Sequence, residues 1–391
     1  MTKDSFTVKK LPRIVFEKEG ISRLPELIES RGSSVLVVTG GGSFTRSPHW
    51  QVLEGSLQRL GVEMHHESIE AEPTPEGIDD ICRRHRRHNI EVVTAIGGGS
   101  VLDGGKAAAA MLKSEGSVVE YLEGVGTRKP DGTKVPFIAV PTTAGTGSET
   151  TANAVLSRVG PGGFKKSLRH ENYTPDIALI DPLLTLGLPL QQTAYCCMDA
   201  FTQLVESYLS TAASFFSDDL AWGALRRLKP SLPRLSRAEV GLEDRVNMSY
   251  AACVSGITLS HAGLGVVHGF ASTIGGRFAI PHGLVCATLM AEANAVTLEK
   301  LRNVDTGSLA LDKYAHLGRL LSEGHKRSDS YYQDAFIAIL QGLTADCGIE
   351  PLGRFGITAG DLPAMARASS CKNNPADLGS DERQAILAAR L

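Results

Sequence analysis

Asp199 and Gln203 stand four residues apart in Met198–Tyr208, a run that reads as the start of a helix, so they share one face. Downstream, Leu264-Gly265-Val266-Val267-His268-Gly269 and Ile280-Pro281-His282-Gly283 each carry one histidine. The glycine-rich bend between them lets two helices aim both imidazoles at one point. One carboxylate and two imidazoles suit a divalent metal that keeps an open position. Such a metal polarises an alcohol or carbonyl oxygen as a Lewis acid. Either histidine alone reads equally well as a core or surface residue; the set carries the metal reading.

Three glycine-rich segments suit a dinucleotide. Ile96-Gly97-Gly98-Gly99-Ser100-Val101-Leu102-Asp103 follows a strand-like run. Consecutive glycines there let backbone N–H groups approach an anion, and the next helix offers its positive end to a pyrophosphate. This is not the spaced GxGxxG fingerprint. Pro141-Thr142-Thr143-Ala144-Gly145-Thr146-Gly147-Ser148 brings hydroxyl donors for phosphate and nicotinamide. Gly40-Gly41-Gly42-Ser43 follows the first strand, where an acidic residue would bind the adenosine ribose and repel a 2′-phosphate. No Asp or Glu stands there, which leans toward NADP over NAD.

The elements that must hold these segments differ between the halves. Val35–Thr39, Glu91–Ile96, Phe137–Val140 and Ile177–Ile180 are short apolar β-type runs. They alternate with helical stretches at Gly20–Ser30, Glu76–His88 and Asp103–Ser114. This pattern predicts a parallel α/β sheet covered on both faces. After about residue 186, strand-like runs stop and long Ala/Leu-rich segments take over: Ala200–Ser210, Asp218–Leu228, Arg245–Leu259, Cys286–Arg302 and Tyr332–Asp346. The expected division is an α/β domain over 1–185 and an all-α domain over 186–391.

Composition narrows the function. The chain has 391 residues, with 21% charged, 6% aromatic and a net charge of −3. No strong field or aromatic platform draws it to nucleic acid or to an anionic membrane. The seven cysteines include Cys196-Cys197 and no CxxC, as expected of reduced cytoplasmic thiols. Met1-Thr2-Lys3-Asp4-Ser5 lacks the apolar core of a signal peptide, and no apolar run nears the ~20 residues of a membrane span.

Taken in order, these motifs resemble the iron-containing (group III) alcohol dehydrogenase family over nearly the whole chain. The match includes LPRIVF at 11–16, IGGGSVLDGGK at 96–106, PTTAGTGSE at 141–149 and TPDIALIDP at 174–182. It continues with MDAFTQLVESY at 198–208, AGLGVVHG at 262–269, IPHGL at 280–284 and Asn373-Asn374-Pro375. The resemblance implies a dehydroquinate synthase-like fold with a cleft between two domains. It implies hydride exchange between NAD(P) and a primary alcohol or its aldehyde, and a homodimer or larger assembly. It places Gly97, Gly98, Gly99, Ser100, Asp103, Thr142, Thr143, Thr146 and Lys165 at the cofactor. Gly40 stands where NAD-preferring members have Asp, and Gly41-Gly42-Ser43 looks like the NADP-using butanol-dehydrogenase branch. The metal, iron or zinc, would be held by Asp199, His268 and His282.

Two positions depart from the family pattern. Gln203 replaces a ligand histidine, leaving an amide oxygen as a weak fourth ligand. Ser272 replaces a histidine near the substrate, so the proton route would run through Ser272, His261 or water. These departures leave two alternatives open: a metal-independent carbonyl reductase resembling maleylacetate reductase, and an inactive nucleotide-binding protein. Phe201 and Phe278 are candidate pocket walls.

Overall fold

The computed structural model describes residues 5–322 and 326–391, so Met1–Asp4 of the opening segment lie outside the described residues. The chain divides into two compact units. One comprises Lys9–Arg158 and Gly163–Leu188. The other comprises Pro189–Leu391 with Val159–Gly162 and the N-terminal stretch ending at Val8.

The first unit is built on β1 (Arg13–Phe16), β2 (Ser34–Thr39), β3 (Glu63–Ser68), β4 (Val92–Gly97), β5 (Phe137–Pro141) and β8 (Ile177–Ile180). They form one sheet in the order β1-β8-β5-β4-β2-β3, with every pairing parallel. Helices α1 (Leu24–Glu29), α2 (Pro48–Arg59), α3 (Pro75–His85) and α4 (Gly99–Met111) connect the strands. The central strands bury both faces, which is why they read as unbroken apolar runs. Leu36, Val38, Val93, Ala95, Phe137 and Ala139 enter one core, while Val35, Val37, Val92, Ile96, Ile138 and Val140 enter the other.

The parallel sheet follows the sequence expectation, and the structure adds strands. β3, with sequence EMHHES, is half exposed at the sheet edge and so lacks a buried strand's apolar signature. β6 (Asn153–Arg158) and β7 (Phe164–Arg169) form a separate antiparallel hairpin. The expected helix over Gly20–Ser30 splits into a 3₁₀ turn, Gly20–Arg23, and α1, which has Pro25 at its start.

The second unit is helical: α5 (Leu190–Leu209), α6 (Phe215–Leu228), α7 (Leu232–Ser236), α8 (Leu242–Ala262), α9 (Val266–Gly275), α10 (His282–Val304), α11 (Leu309–Leu321), α12 (Asp329–Asp346), α13 (Leu362–Ala368) and α14 (Ser380–Ala388). Asp199 and Gln203 lie in the middle of α5 rather than at a helix start, because the helix begins directly after Pro189. Gly263, at φ 73, ends α8 in a conformation that favours glycine and releases the chain into α9. Gly283 lies so close to Tyr195 that an added Cβ would sit 2.4 Å from the Tyr195 carbonyl oxygen. The start of α10 is thereby pressed onto α5 one turn before Asp199. No single helix among the described residues is long and apolar enough to cross a membrane, and no disulfide joins any of the seven cysteines.

Candidate metal centre and cofactor loops

Asp199, Gln203 and Glu206 fall at i, i+4 and i+7 of α5, and all three are buried. Opposite them, α9 supplies His268 and the first residue of α10 is His282. Asp199 Oδ1 lies 3.2 Å from His268 Nε2 and 3.7 Å from His282 Nε2. Cys286, one turn after His282, points its Sγ at both rings, 3.6 Å from His268 Nε2 and 3.8 Å from His282 Nε2. These four donor atoms all lie within 4.8 Å of one another. A carboxylate oxygen, two imidazole nitrogens and a thiol, gathered where little water enters, are donors a divalent metal accepts.

A further shell of contacts orients the donors. His268 Nδ1 is 2.7 Å from Glu206 Oε2, while Glu206 Oε1 accepts the Val267 backbone N–H at 2.7 Å. This carboxylate–histidine pair fixes the ring with Nε2 toward the cluster. Burial would raise the Asp199 carboxyl, but the facing His282 and His268 outweigh it and hold the carboxyl below its usual range. Burial would lower His268; Cys286, Glu206 and Asp199 around the ring prevail and hold it well above an ordinary histidine. Burial pushes the Cys286 thiol up to about 12, against the pull of His268.

Gln203 is placed differently from its sequence reading. Its Nε2 donates to Asp199 Oδ1 at 3.1 Å, and its Oε1 accepts from the Ser255 hydroxyl at 2.7 Å. The amide oxygen expected to face a metal is held by α8, and the amide nitrogen faces the cluster. Ser272 is exposed and donates its hydroxyl proton to the His268 carbonyl at 3.0 Å, closing onto its own helix. His261 Nδ1 lies 2.7 Å from the Ile257 carbonyl, with its ring against Phe216. Phe201 is fully buried in the helical core, and Phe278 is partly exposed. Spacing could have flagged two residues the sequence reading missed: Cys286, four after His282, and Glu206, seven after Asp199.

In the first unit, Gly40–Ser43 follows β2 and Gly97–Ser100 runs from the last residue of β4 into α4; β2 and β4 are adjacent parallel strands. From β2 the chain steps outward to β3, then returns on the other side of β2 to lay down β4. The carboxyl ends of β2 and β4 therefore flank the topological switch point, where open α/β sheets bind ligands. Gly98 is the N-cap of the 13-residue α4, with no side-chain cap. An added Cβ would fall 3.3 Å from the Thr143 methyl at Gly98 and 2.5 Å from the Thr146 methyl at Gly99. The glycine loop and the threonine loop are thus packed together, and Thr142 N–H donates to the Gly97 carbonyl at 2.9 Å.

Two expected cofactor residues are engaged elsewhere. Asp103 accepts from the Ser148 hydroxyl and from Val155 N–H, and pairs with the fully buried Lys106. Lys106 Nζ also reaches the Ser148 and Asn153 carbonyls and the Ser148 and Thr151 hydroxyls. Together they brace the threonine loop from beneath. Lys165 Nζ donates to Glu72 Oε2 at 2.9 Å. Arg46 had no signal in the sequence: Gly42, at φ 105, would place a Cβ 2.3 Å from its guanidinium, so the arginine lies against the loop after β2. Glu70, after β3, flanks Gly41.

Both halves of the chain are matched by known proteins. Residues 12–182 fit the model described as iron-containing alcohol dehydrogenase, and residues 193–391 fit the Fe-containing alcohol dehydrogenase family, C-terminal. A probable alcohol dehydrogenase, EutG, of Escherichia coli (strain K12) is 34% identical over 81% of this chain and 78% of its own length. An NADPH-dependent butanol dehydrogenase of Clostridium saccharobutylicum is 29% identical over 96% of each chain. A solved 1,3-propanediol oxidoreductase superposes with a TM-score of 0.87 at 28% identity, covering 99% of this chain and 100% of that one. With both halves matched in order, this chain belongs to the iron-containing alcohol dehydrogenase family and is an NAD(P)-dependent alcohol/aldehyde oxidoreductase.

Proposed function

We propose that this enzyme interconverts a primary alcohol and its aldehyde with NADP, using a divalent metal held by Asp199, His268 and His282. The primary-alcohol class is supported by relatives named as butanol, 1,3-propanediol and long-chain-alcohol dehydrogenases. The observation that carries the reading is the convergence of these three side chains, with Glu206 fixing His268 from behind. A metal bound there would supply Lewis-acid polarisation of the reacting oxygen, and the cofactor would exchange the hydride, given by NADPH to the aldehyde or taken by NADP⁺ from the alcohol.

The chain's own residues do the rest. Residues 1–185 are the cofactor domain, in which the N–H groups of Gly97–Ser100 and the end of α4 bind the pyrophosphate. Gly40–Ser43 and Thr142, Thr143 and Thr146 contribute further donors. The Arg46 guanidinium favours a 2′-phosphate and the neutral Gly40 does not repel one, with the Glu70 side chain beside Gly41 as the opposing charge. Asp103 and Lys106 hold the threonine loop in shape. Residues 186–391 are the metal and substrate domain. The proton reaches the product oxygen through water, because the Ser272 hydroxyl is turned onto the His268 carbonyl.

The metal-free alternative requires His268 to donate a hydrogen bond to the substrate. Both of its ring nitrogens face carboxylates, Asp199 and Glu206, which weakens that reading. We further propose a homo-oligomer, as the family resemblance implies, and a cytoplasmic setting, in keeping with seven free cysteines.

The test is metal analysis of protein purified anaerobically without chelator, with NADPH oxidation followed on an aldehyde panel before and after chelation. About one metal per chain, with activity lost on chelation and regained on metal addition, is the expected result. Full activity in metal-free protein would overturn the reading.

A further inference from the structure

We infer that Cys286 is the fourth protein ligand of the metal centre, standing in for the histidine absent at 203, and that its sulphur turns the site toward zinc and cobalt and away from ferrous iron. The inference rests on the metal reading above and goes beyond it by naming the donor and the consequence.

The geometry comes first. A tetrahedral ion with bonds of about 2.0–2.1 Å to nitrogen and oxygen and about 2.3 Å to sulphur spaces its donors roughly 3.3–3.6 Å apart. The Asp199–His268 and Asp199–His282 separations are 3.2 and 3.7 Å, and those from Cys286 to His268 and His282 are 3.6 and 3.8 Å. All four donor atoms lie within 4.8 Å of one another, so Cys286 stands within reach of an ion held by Asp199, His268 and His282. A thiol serving only as core filler would face aliphatic neighbours; this one faces two imidazole nitrogens.

Gln203 turns its oxygen away from the cluster: that oxygen lies 2.7 Å from the Ser255 hydroxyl, which also reaches the Ala252 carbonyl at 2.8 Å, while its nitrogen donates to Asp199 and steadies the carboxylate. Residue 286 is aimed by the helix: His282 and Cys286 share one face of α10, and the close approach at Gly283 sets that face against α5. Replacing an imidazole by a thiolate softens the donor set. Soft donors favour zinc, while the centre stays able to admit a substrate oxygen as a fifth ligand.

The test uses full-length protein, stripped of metal and reloaded with Co²⁺ or Zn²⁺. Cobalt-loaded wild type should show a sulphur-to-cobalt charge-transfer band in the near ultraviolet. Cys286→Ser should lose that band and bind Zn²⁺ at least tenfold more weakly, with a smaller change for Fe²⁺. Cys82→Ser, in the other unit, should keep the band. Gln203→His combined with Cys286→Ser should regain Zn²⁺ affinity without the band, which separates ligand loss from misfolding. Cobalt binding with no sulphur band, or a band unchanged in Cys286→Ser, would overturn the role of Cys286 and leave the Asp–His–His centre standing. Wild type that takes up neither Co²⁺ nor Zn²⁺ would overturn both.

Discussion

Glu206 Oε2 sits 2.7 Å from His268 Nδ1 while the other oxygen of the same carboxylate holds the Val267 backbone N–H. One side chain of α5 thus fixes both the ring and the first turn of α9. Replacing it with glutamine keeps the shape but removes the charge that orients the imidazole. We expect Glu206→Gln to weaken metal binding by about 10–100-fold, measured by competition with a chromogenic chelator, at near-wild-type thermal stability. Unchanged affinity would mean that Glu206 serves α9 alone.

Arg46 against Gly42 predicts cofactor choice. Arg46→Ala should raise the KM for NADPH about tenfold, the scale of one charge-assisted phosphate contact, and leave the KM for NADH unchanged. Steady-state kinetics with both cofactors decide it, and an equal change in both would remove Arg46 from the 2′-phosphate site. Gly40→Asp should act in the same direction by repulsion.

Gly99 is held to glycine by Thr146, whose methyl would lie 2.5 Å from an added Cβ. Gly99→Ala must push the threonine loop away from the end of α4. The expected result is at least about tenfold weaker dinucleotide binding by fluorescence titration, since the loop's backbone donors are those that meet the anion. Thr146→Gly in the Gly99→Ala background should restore part of it. No loss in the single variant would show that the loop yields freely.

Glu149 predicts a pH signature. It is 3% exposed, and burial raises its carboxyl from 4.5 to about 7, against its own backbone N–H and Lys106. A carboxyl raised on folding contributes stability that is complete below its unfolded pKa and lost as pH climbs through the folded value. Wild type should therefore lose up to about 3 kcal/mol relative to Glu149→Gln between pH 4.5 and 7. Denaturant melts of both proteins across that range measure it. A stability difference that stays constant with pH would show that the carboxyl ionises normally in the folded chain.

Much of this is legible in the amino-acid sequence. The apolar runs ending in glycine or proline marked β2, β4, β5 and β8, because a strand buried on both faces has no charged residue to interrupt it. β3 escaped because an edge strand is half solvated and its EMHHES sequence carries no such signature. His268 and His282 stood out because histidines are few and their glycine- and proline-flanked settings specific, and Asp199 because it shares a helix face with Gln203 in a run that resembles the family.

The sequence by itself determined which residue types could do this chemistry and the order in which strands and helices would present them. Only the tertiary structure decided their partners. It joined Asp103 to Ser148, Lys165 to Glu72 and the Gln203 oxygen to Ser255, and it brought Cys286 to the two histidines. Periodicity fixes the face on which a side chain lies. What that face meets depends on the crossing of α5, α9 and α10, which is set by close backbone approaches such as Gly283 on Tyr195, and those are contacts between residues far apart in the chain.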